Sequence, residues 1–165
     1  MRASLLVTDS NIWIDLVNGE ILAVVFNLPY QFITTDFAKM EDMHAETWAA
    51  LMNYKIMVLG STQEQVNEIQ QLRKKQPALS ITDLASFVLA KDLPAALLSG
   101  DKALRRIAEK NGIEVHGVLW VLDQLVDHQV VSAWEAADAL ESMLAKSARL
   151  PLDACRKRIK RWRAF

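Results

Sequence analysis

Asp9, Glu41, Asp83 and Asp101 are the residues whose types and settings suit chemistry. Asp9 ends the apolar run Leu5-Leu6-Val7-Thr8 and is followed at once by Ser10-Asn11 and the periodic residues Ile12, Ile14 and Leu16. This reads as a buried strand passing directly into a helix capped by Ser10 or Asn11. Asp101 follows Ala95-Ala96-Leu97-Leu98 in the same way, and Asp83 lies in the first turn of the helix that feeds that strand. Glu41 lies one turn into the helix after a strand ending at Thr35. Each acid also has an ordinary structural explanation. Ser80-Ile81-Thr82-Asp83 has capping-box form, Asp101 suits an N-cap, and Glu41 suits a solvated helix face. Together they point to the rim beyond the carboxyl ends of parallel strands, where open α/β sheets bind ligands.

Carboxylates gathered at one rim repel each other by about 4 kcal/mol per pair at 4 Å and an effective dielectric of 20. A hard divalent cation relieves this, and oxygen-only ligands suit Mg²⁺ or Mn²⁺. Such an ion binds a phosphate oxygen and lowers the pKa of water. No Lys, Cys or His is placed to act as a nucleophile, so water is the natural attacker. One ion or two is left open by the residues.

The elements that must position these acids follow from periodicity and punctuation. Helices are expected over Ile21 to Leu28, Asp36 to Asn53, Ser61 to Lys75, Ile81 to Lys91 and Asp101 to Asn111, with strands over 31–35, 55–59, 95–98 and 113–115. Strand and helix alternate to residue 116, which means a parallel α/β sheet. Beyond it, Val118 to Asp127, Ala133 to Lys146 and Asp153 to Trp162 read as helices. The division is therefore a catalytic-type domain over 1–127 and a helical extension over 128–165, packed on that domain or on a partner.

The chain has 165 residues, 52% of them hydrophobic, which excludes a disordered polymer and suffices to bury roughly 70% of the unfolded surface. Net charge is −1, so any surface for nucleic acid is local. The single Cys155 excludes an intrachain disulfide and fits a reducing compartment. The apolar run at the amino terminus meets Asp9 too soon for a signal peptide, and Ile21 to Phe26 is too short to cross a membrane. A cytoplasmic protein with no membrane partner is expected.

The segments Val7-Thr8-Asp9-Ser10-Asn11, Ser80-Ile81-Thr82-Asp83-Leu84-Ala85 and Leu98-Ser99-Gly100-Asp101-Lys102-Ala103-Leu104 resemble the ordered acidic motifs of PIN-domain ribonucleases. The resemblance spans about residues 4 to 127 and is strongest from Ser80 to Val115. It implies a three-layer α/β/α fold around a parallel sheet of about four or five strands, its first and fourth strands adjacent, so that Asp9 and Asp101 lie side by side. It also implies RNA cleavage dependent on Mg²⁺ or Mn²⁺. Many bacterial members are VapC-type toxins, often dimeric and silenced by a small antitoxin. Carried over residue by residue, Asp9, Asp83 and Asp101 match the metal-holding acids, and Ser10, Asn11 and Ser99 match accessory polar positions. At the second acid the surroundings of Glu41 depart from the pattern: Asp42 stands where an apolar residue is usual. Asp42 is therefore an alternative ligand, and Asp36 a more remote one.

Other residues carry two readings. Lys102, Arg105 and Arg106 either steer phosphate to the rim or decorate a helix. The basic tail, with Arg158, Arg161 and Trp162, either tracks an RNA backbone with Trp162 stacking on a base or forms a solvated amphipathic helix. Glu41-x-x-His44 lacks the second copy that a di-iron bundle needs. His116 and His128 read as ordinary polar residues at element ends. Trp13, Trp48, Trp120 and Trp134 fit core or dimer packing. A homodimer is expected, because the apolar helices Ile21 to Leu28 and Ala133 to Leu144 exceed what one core covers.

Overall fold

The computed structural model describes residues 4–41, 44–146 and 148–165, and of residues 39–41 the backbone only. Among the described residues, the short apolar runs form five strands: β1 (Leu5–Thr8), β2 (Gln31–Thr35), β3 (Ile56–Leu59), β4 (Ala96–Leu98) and β5 (Val115–His116). They make one parallel sheet in the order β3-β2-β1-β4-β5. The chain runs outward from β1 in one direction through β2 and β3, then crosses back to place β4 on its other side. The switch point between β1 and β4 is where an open α/β sheet leaves a crevice at its carboxyl edge.

The alternation of side chains along each strand explains why both faces are covered. Leu6, Phe32, Ala96 and Leu98 enter one core with α1 (Ser10–Asn18), α2 (Leu22–Val25) and α8 (Val118–Asp127). Val7, Ile33 and Leu97 enter the other with α5 (Gln63–Lys75), α6 (Ile81–Asp92) and α7 (Lys102–Lys110). The result is the expected three-layer α/β/α arrangement.

The last two helices, α9 (Ala133–Ala145) and α10 (Leu152–Arg163), belong to the first of these cores. The carboxyl end of α1 receives α9: Ser142 Oγ donates to the Asn18 carbonyl at 2.7 Å and Lys146 Nζ to the same oxygen at 3.2 Å. The approach is close. A Cβ on Gly19 would stand 2.6 Å from Met143 Cε and 3.2 Å from the Ala139 carbonyl. Cys155 and Trp162 anchor α10 in the core. Its Arg158 forks onto Asp123 of α8, with Nη2 2.7 Å from Oδ2 and Nε 3.1 Å from Oδ1. The residues expected as an extension thus close the same hydrophobic interior as the first 127.

Several expectations are corrected here. Trp162 is 2% exposed, so it fills the core and cannot stack on a base. Arg158 is committed to Asp123, and the more exposed Arg161 adds a second contact to that carboxylate at 3.2 Å. Trp134 is 52% exposed and lies under the Arg163 guanidinium at 4.5 Å instead of packing inside. The helix expected over Ile21 to Leu28 shrinks to α2, because Leu22, Val25 and Leu28 reach the core only if the chain turns after Phe26. The stretch from Asp36 divides into α3 (Asp36–Glu41) and α4 (Ala45–Leu51), the latter entered at His44. Asp9 itself, and neither Ser10 nor Asn11, is the N-cap of α1. The apolar helices expected to exceed one core are covered within the chain, with Leu22, Val25, Leu28, Ala136, Leu140 and Met143 all buried. Trp13 and the histidines follow expectation: Trp13 is fully buried, His116 is on β5 and His128 caps α8.

Because Trp162 is a large buried side chain joining α10 to the sheet core, Trp162→Ala is expected to destabilise the fold by about 3–5 kcal/mol. A urea denaturation midpoint equal to that of the unsubstituted protein would show that α10 contributes no core.

Candidate active site

Pairing registers bring the site residues to one row. Val7 pairs with Ile33, Thr8 with Leu98, and Leu98 with His116. Continuing by one residue sets Thr35, the last residue of β2, in one row with Asp9, Ser99 and Gly117, which lie just beyond β1, β4 and β5. The Asp9 amide still donates to the Leu98 carbonyl at 2.9 Å, and the Ser99 amide to the His116 carbonyl at 2.9 Å. Asp9 is therefore fixed to β4 before α1 begins.

Asp9 is 2% exposed, and a buried carboxylate must be satisfied. Its Oδ1 accepts from the Ser10 amide at 2.9 Å and its Oδ2 from Ser99 Oγ at 3.1 Å. The same Ser99 hydroxyl accepts from the Asp101 amide at 3.1 Å. Asp101 then caps α7, its Oδ1 accepting from the Leu104 amide at 2.8 Å. One hydroxyl thus links two acids across neighbouring strands, and both carboxylates stand at the positive ends of helices. Asp101 Oδ2 accepts no hydrogen bond among the described residues and is open to a ligand.

The other acids are placed differently. Asp83 is half-buried on the first turn of α6, where its Oδ2 accepts from the Ser80 amide at 2.9 Å in a full capping box. Helix α6 packs beneath β1, β2 and β4 and against α3, the helix that ends at Glu41. The Glu41 side chain and all of Asp42 lie outside the described residues. Asp36 turns toward the end of β3, with Oδ2 3.3 Å from where a Cβ of Gly60 would be. Among the described residues, no three His, Cys, Asp or Glu side chains gather closely enough to hold one ion.

The donor set nevertheless fits a hard divalent cation. Asp9 and Asp101 offer carboxylate oxygens from the ends of neighbouring strands, joined through Ser99. Ser10 Oγ, beside Asp9, is buried with no hydrogen-bond partner, as is Thr35 Oγ1 at the end of β2. Orphaned buried hydroxyls at the same edge as two acids are polar atoms that a coordinated ion and its waters would satisfy. Asn11, exposed on the first turn of α1, stands over this edge.

Sequence reasoning missed Asp15. It lies on α1 and lines a cavity that also contains Asn11, Gly100 and Asp101. Desolvation in that cleft raises its pKa from 3.8 to about 6. The only signal in the sequence is an acid within an otherwise apolar helix, at i+4 from Asn11. Perturbed carboxyls in clefts mark functional sites more often than ordinary surface.

Since the folded-state pKa of Asp15 lies above its unfolded value, the native state binds the proton more tightly. Stability contributed by Asp15 therefore falls as pH rises from 3.8 to about 6, and the penalty is complete above that. Asp15→Asn is expected to stabilise the protein by about 1 kcal/mol at neutral pH, after allowing for solvent screening, and to change little where Asp15 is protonated in both states. Equal shifts in Tm at acidic and neutral pH would refute the desolvation account.

Among curated proteins none matches this chain. A solved structure that resembles it is a PilT N-terminus domain protein from the hyperthermophilic archaeon Sulfolobus solfataricus P2. It is 12% identical, covers 72% of this chain and 91% of its own, and has a TM-score of 0.45. Among the described residues, no helix is long and apolar enough to cross a membrane. The family profile described as PIN domain matches residues 5–164, nearly the whole length including α9 and α10. The chain belongs to the PIN-domain family, whose fold is nuclease-like.

Proposed function

We propose that this protein is a divalent-metal-dependent endoribonuclease, with Mg²⁺ or Mn²⁺ as its ion, and that it is the toxin of a bacterial toxin–antitoxin pair. The observation that carries the nuclease reading is the link Asp9–Ser99–Asp101, which sets two carboxylates at the switch point of the sheet. Asp9 and Asp101 would hold the ion, with Asp83 and Glu41, or Asp42 in its place, completing the set around it. When bound, the ion supplies Lewis-acid polarisation of a phosphate oxygen and eases ionisation of water near neutral pH. The chain's own residues do the rest. Ser99 holds the spacing of the two acids, and Ser10 and Asn11 orient solvent at the edge. Lys102 and Arg106, exposed on α7 without ion-pair partners among the described residues, neutralise phosphates arriving at Asp101. In the hydrolysis one P–O bond forms to water, one ester P–O bond breaks, and the proton of the water ends on the departing oxygen. A small cognate antitoxin and a homodimer accompany this reading as partners, and the cytoplasm as its location.

A second reading has one observation in its favour. The Asp83 carboxylate is used in a capping box, which suits an inert scaffold as well as a ligand. A Mn²⁺ titration by calorimetry separates the two, because a catalytic edge binds the ion and loses it with Asp101→Asn.

With a labelled single-stranded RNA, cleavage should require Mg²⁺ or Mn²⁺ and stop with EDTA. Asp9→Asn and Asp101→Asn should each lower the rate by at least about 100-fold with the fold intact by circular dichroism. Ser99→Ala should cost about 10- to 100-fold through loss of positioning. Undiminished cleavage in both Asn variants sinks the proposal. Equal cleavage of single-stranded DNA would replace the RNA assignment with a general nuclease.

A further inference from the structure

Two adjoining cavities open beside Asp101, between α1, the start of α7 and the connector from α9 to α10. One, of about 460 Å³, is lined by Asn11, Asp15, Gly100, Asp101, Lys146 and Arg149. The other, of about 260 Å³, is lined in part by Asp15, Gly100, Arg105, Trp120 and Arg149. Shared walls make them one cleft, continuous with the acidic edge. Nothing stands within 4 Å of where a Cβ of Gly100 would be, so a ligand can approach the backbone there.

The cations of this cleft are not equivalent. Arg158 reaches its far end but is forked onto Asp123. Lys146 holds the Asn18 carbonyl. The guanidinium groups of Arg105 and Arg149 have no hydrogen bond or ion pair among the described residues, although the Asp15 carboxyl lines the same walls. Arg105 Nη1 lies 3.5 Å from the Cβ position of Gly117, so it leans along the cleft floor. Guanidinium groups left unmatched in a concave site are suited to phosphate, which they contact through a planar fork. Trp120, stacked on His116 with centroids 4.1 Å apart, adds an aromatic wall.

We infer that this cleft is a second nucleotide subsite, in which Arg149 and Arg105 hold the phosphate of a nucleotide adjacent to the one at Asp101 on a single-stranded nucleic acid. The inference rests on the nuclease reading for the direction of the strand past Asp101. A cavity admits a splayed-out, unpaired nucleotide, whereas a duplex keeps its bases stacked and paired inside. Arg149 lies between α10 and α9, which docks on α1, so residues beyond 128 help complete the binding surface.

Anisotropy of a labelled single-stranded RNA in EDTA reads binding without cleavage. Arg149→Ala and Arg105→Ala are each expected to weaken binding about five- to tenfold and to lower the salt slope by about 1. Asp15→Asn, which removes a carboxylate from the same walls, should tighten it. Lys157→Ala, exposed on α10 away from the cleft, should change nothing. Unaltered affinity in the Arg105→Ala, Arg149→Ala double variant overturns the subsite, as does an equal loss in Lys157→Ala. Displacement of the RNA by polyglutamate at matched charge would assign the cleft to an acidic protein instead. Arg149-dependent binding without any metal-dependent cleavage by the unsubstituted protein would remove the nuclease reading and leave the subsite standing.

Discussion

The Ser99 hydroxyl donates to one carboxylate oxygen of Asp9 and accepts from the amide of Asp101, and through it the two acids keep a fixed separation. Everything at the carboxyl edge of the sheet depends on that bridge. Asp9 is buried, and the Ser10 amide, the Ser99 hydroxyl and the start of α1 all present positive ends to its carboxylate. Asp101 has the corresponding support from α7, through the Leu104 amide. The crossover that makes β4 a neighbour of β1 is what allows Ser99 to donate to Asp9, 90 positions away in the chain.

The stability of that edge comes from both faces of the sheet. Alternate residues of β1, β2 and β4 feed two separate cores, and the helices that follow each strand cover them. On one face the cover is completed only by α9 and α10. Gly19 permits α9 to approach α1, and the Arg158–Asp123 fork fixes α10 across α8. A single half-buried bidentate pair of this kind adds orientation more than net energy, since desolvation offsets much of its attraction. The packing of Cys155 and Trp162 supplies the energy.

This arrangement also explains why the basic tail is not a free polycation. Each of the four arginines of α10 has an acidic partner: Arg156 on Asp153, Arg158 and Arg161 on Asp123, and Arg163 on Asp138 and Glu141. The charge that remains unmatched near the acidic edge lies elsewhere, on Arg105, Arg149 and the outer face of α7. A protein with net charge −1 can therefore still present a local positive surface beside Asp9 and Asp101.

Local chemistry in the sequence was enough to determine the parallel α/β class, the order of strands and helices, and the acids Asp9, Asp83 and Asp101 at element starts. Strand ends, caps and apolar periodicity act over a few residues, and their signals survive without context. The adjacency of β1 and β4 was legible only through family resemblance, because pairing between distant strands leaves no local mark. Tertiary packing alone decided the rest. It turned Trp162 inward, put Trp134 outside, ended α2 after one turn and made Asp9 its own helix cap. It also brought Arg149 to the cleft beside Asp101, and Asp15 into a desolvated wall. Basic and aromatic residues read alike in a sequence whether they meet solvent, a ligand or a carboxylate. Which one they meet is fixed by elements far away in the chain, so that choice exists only in the folded protein.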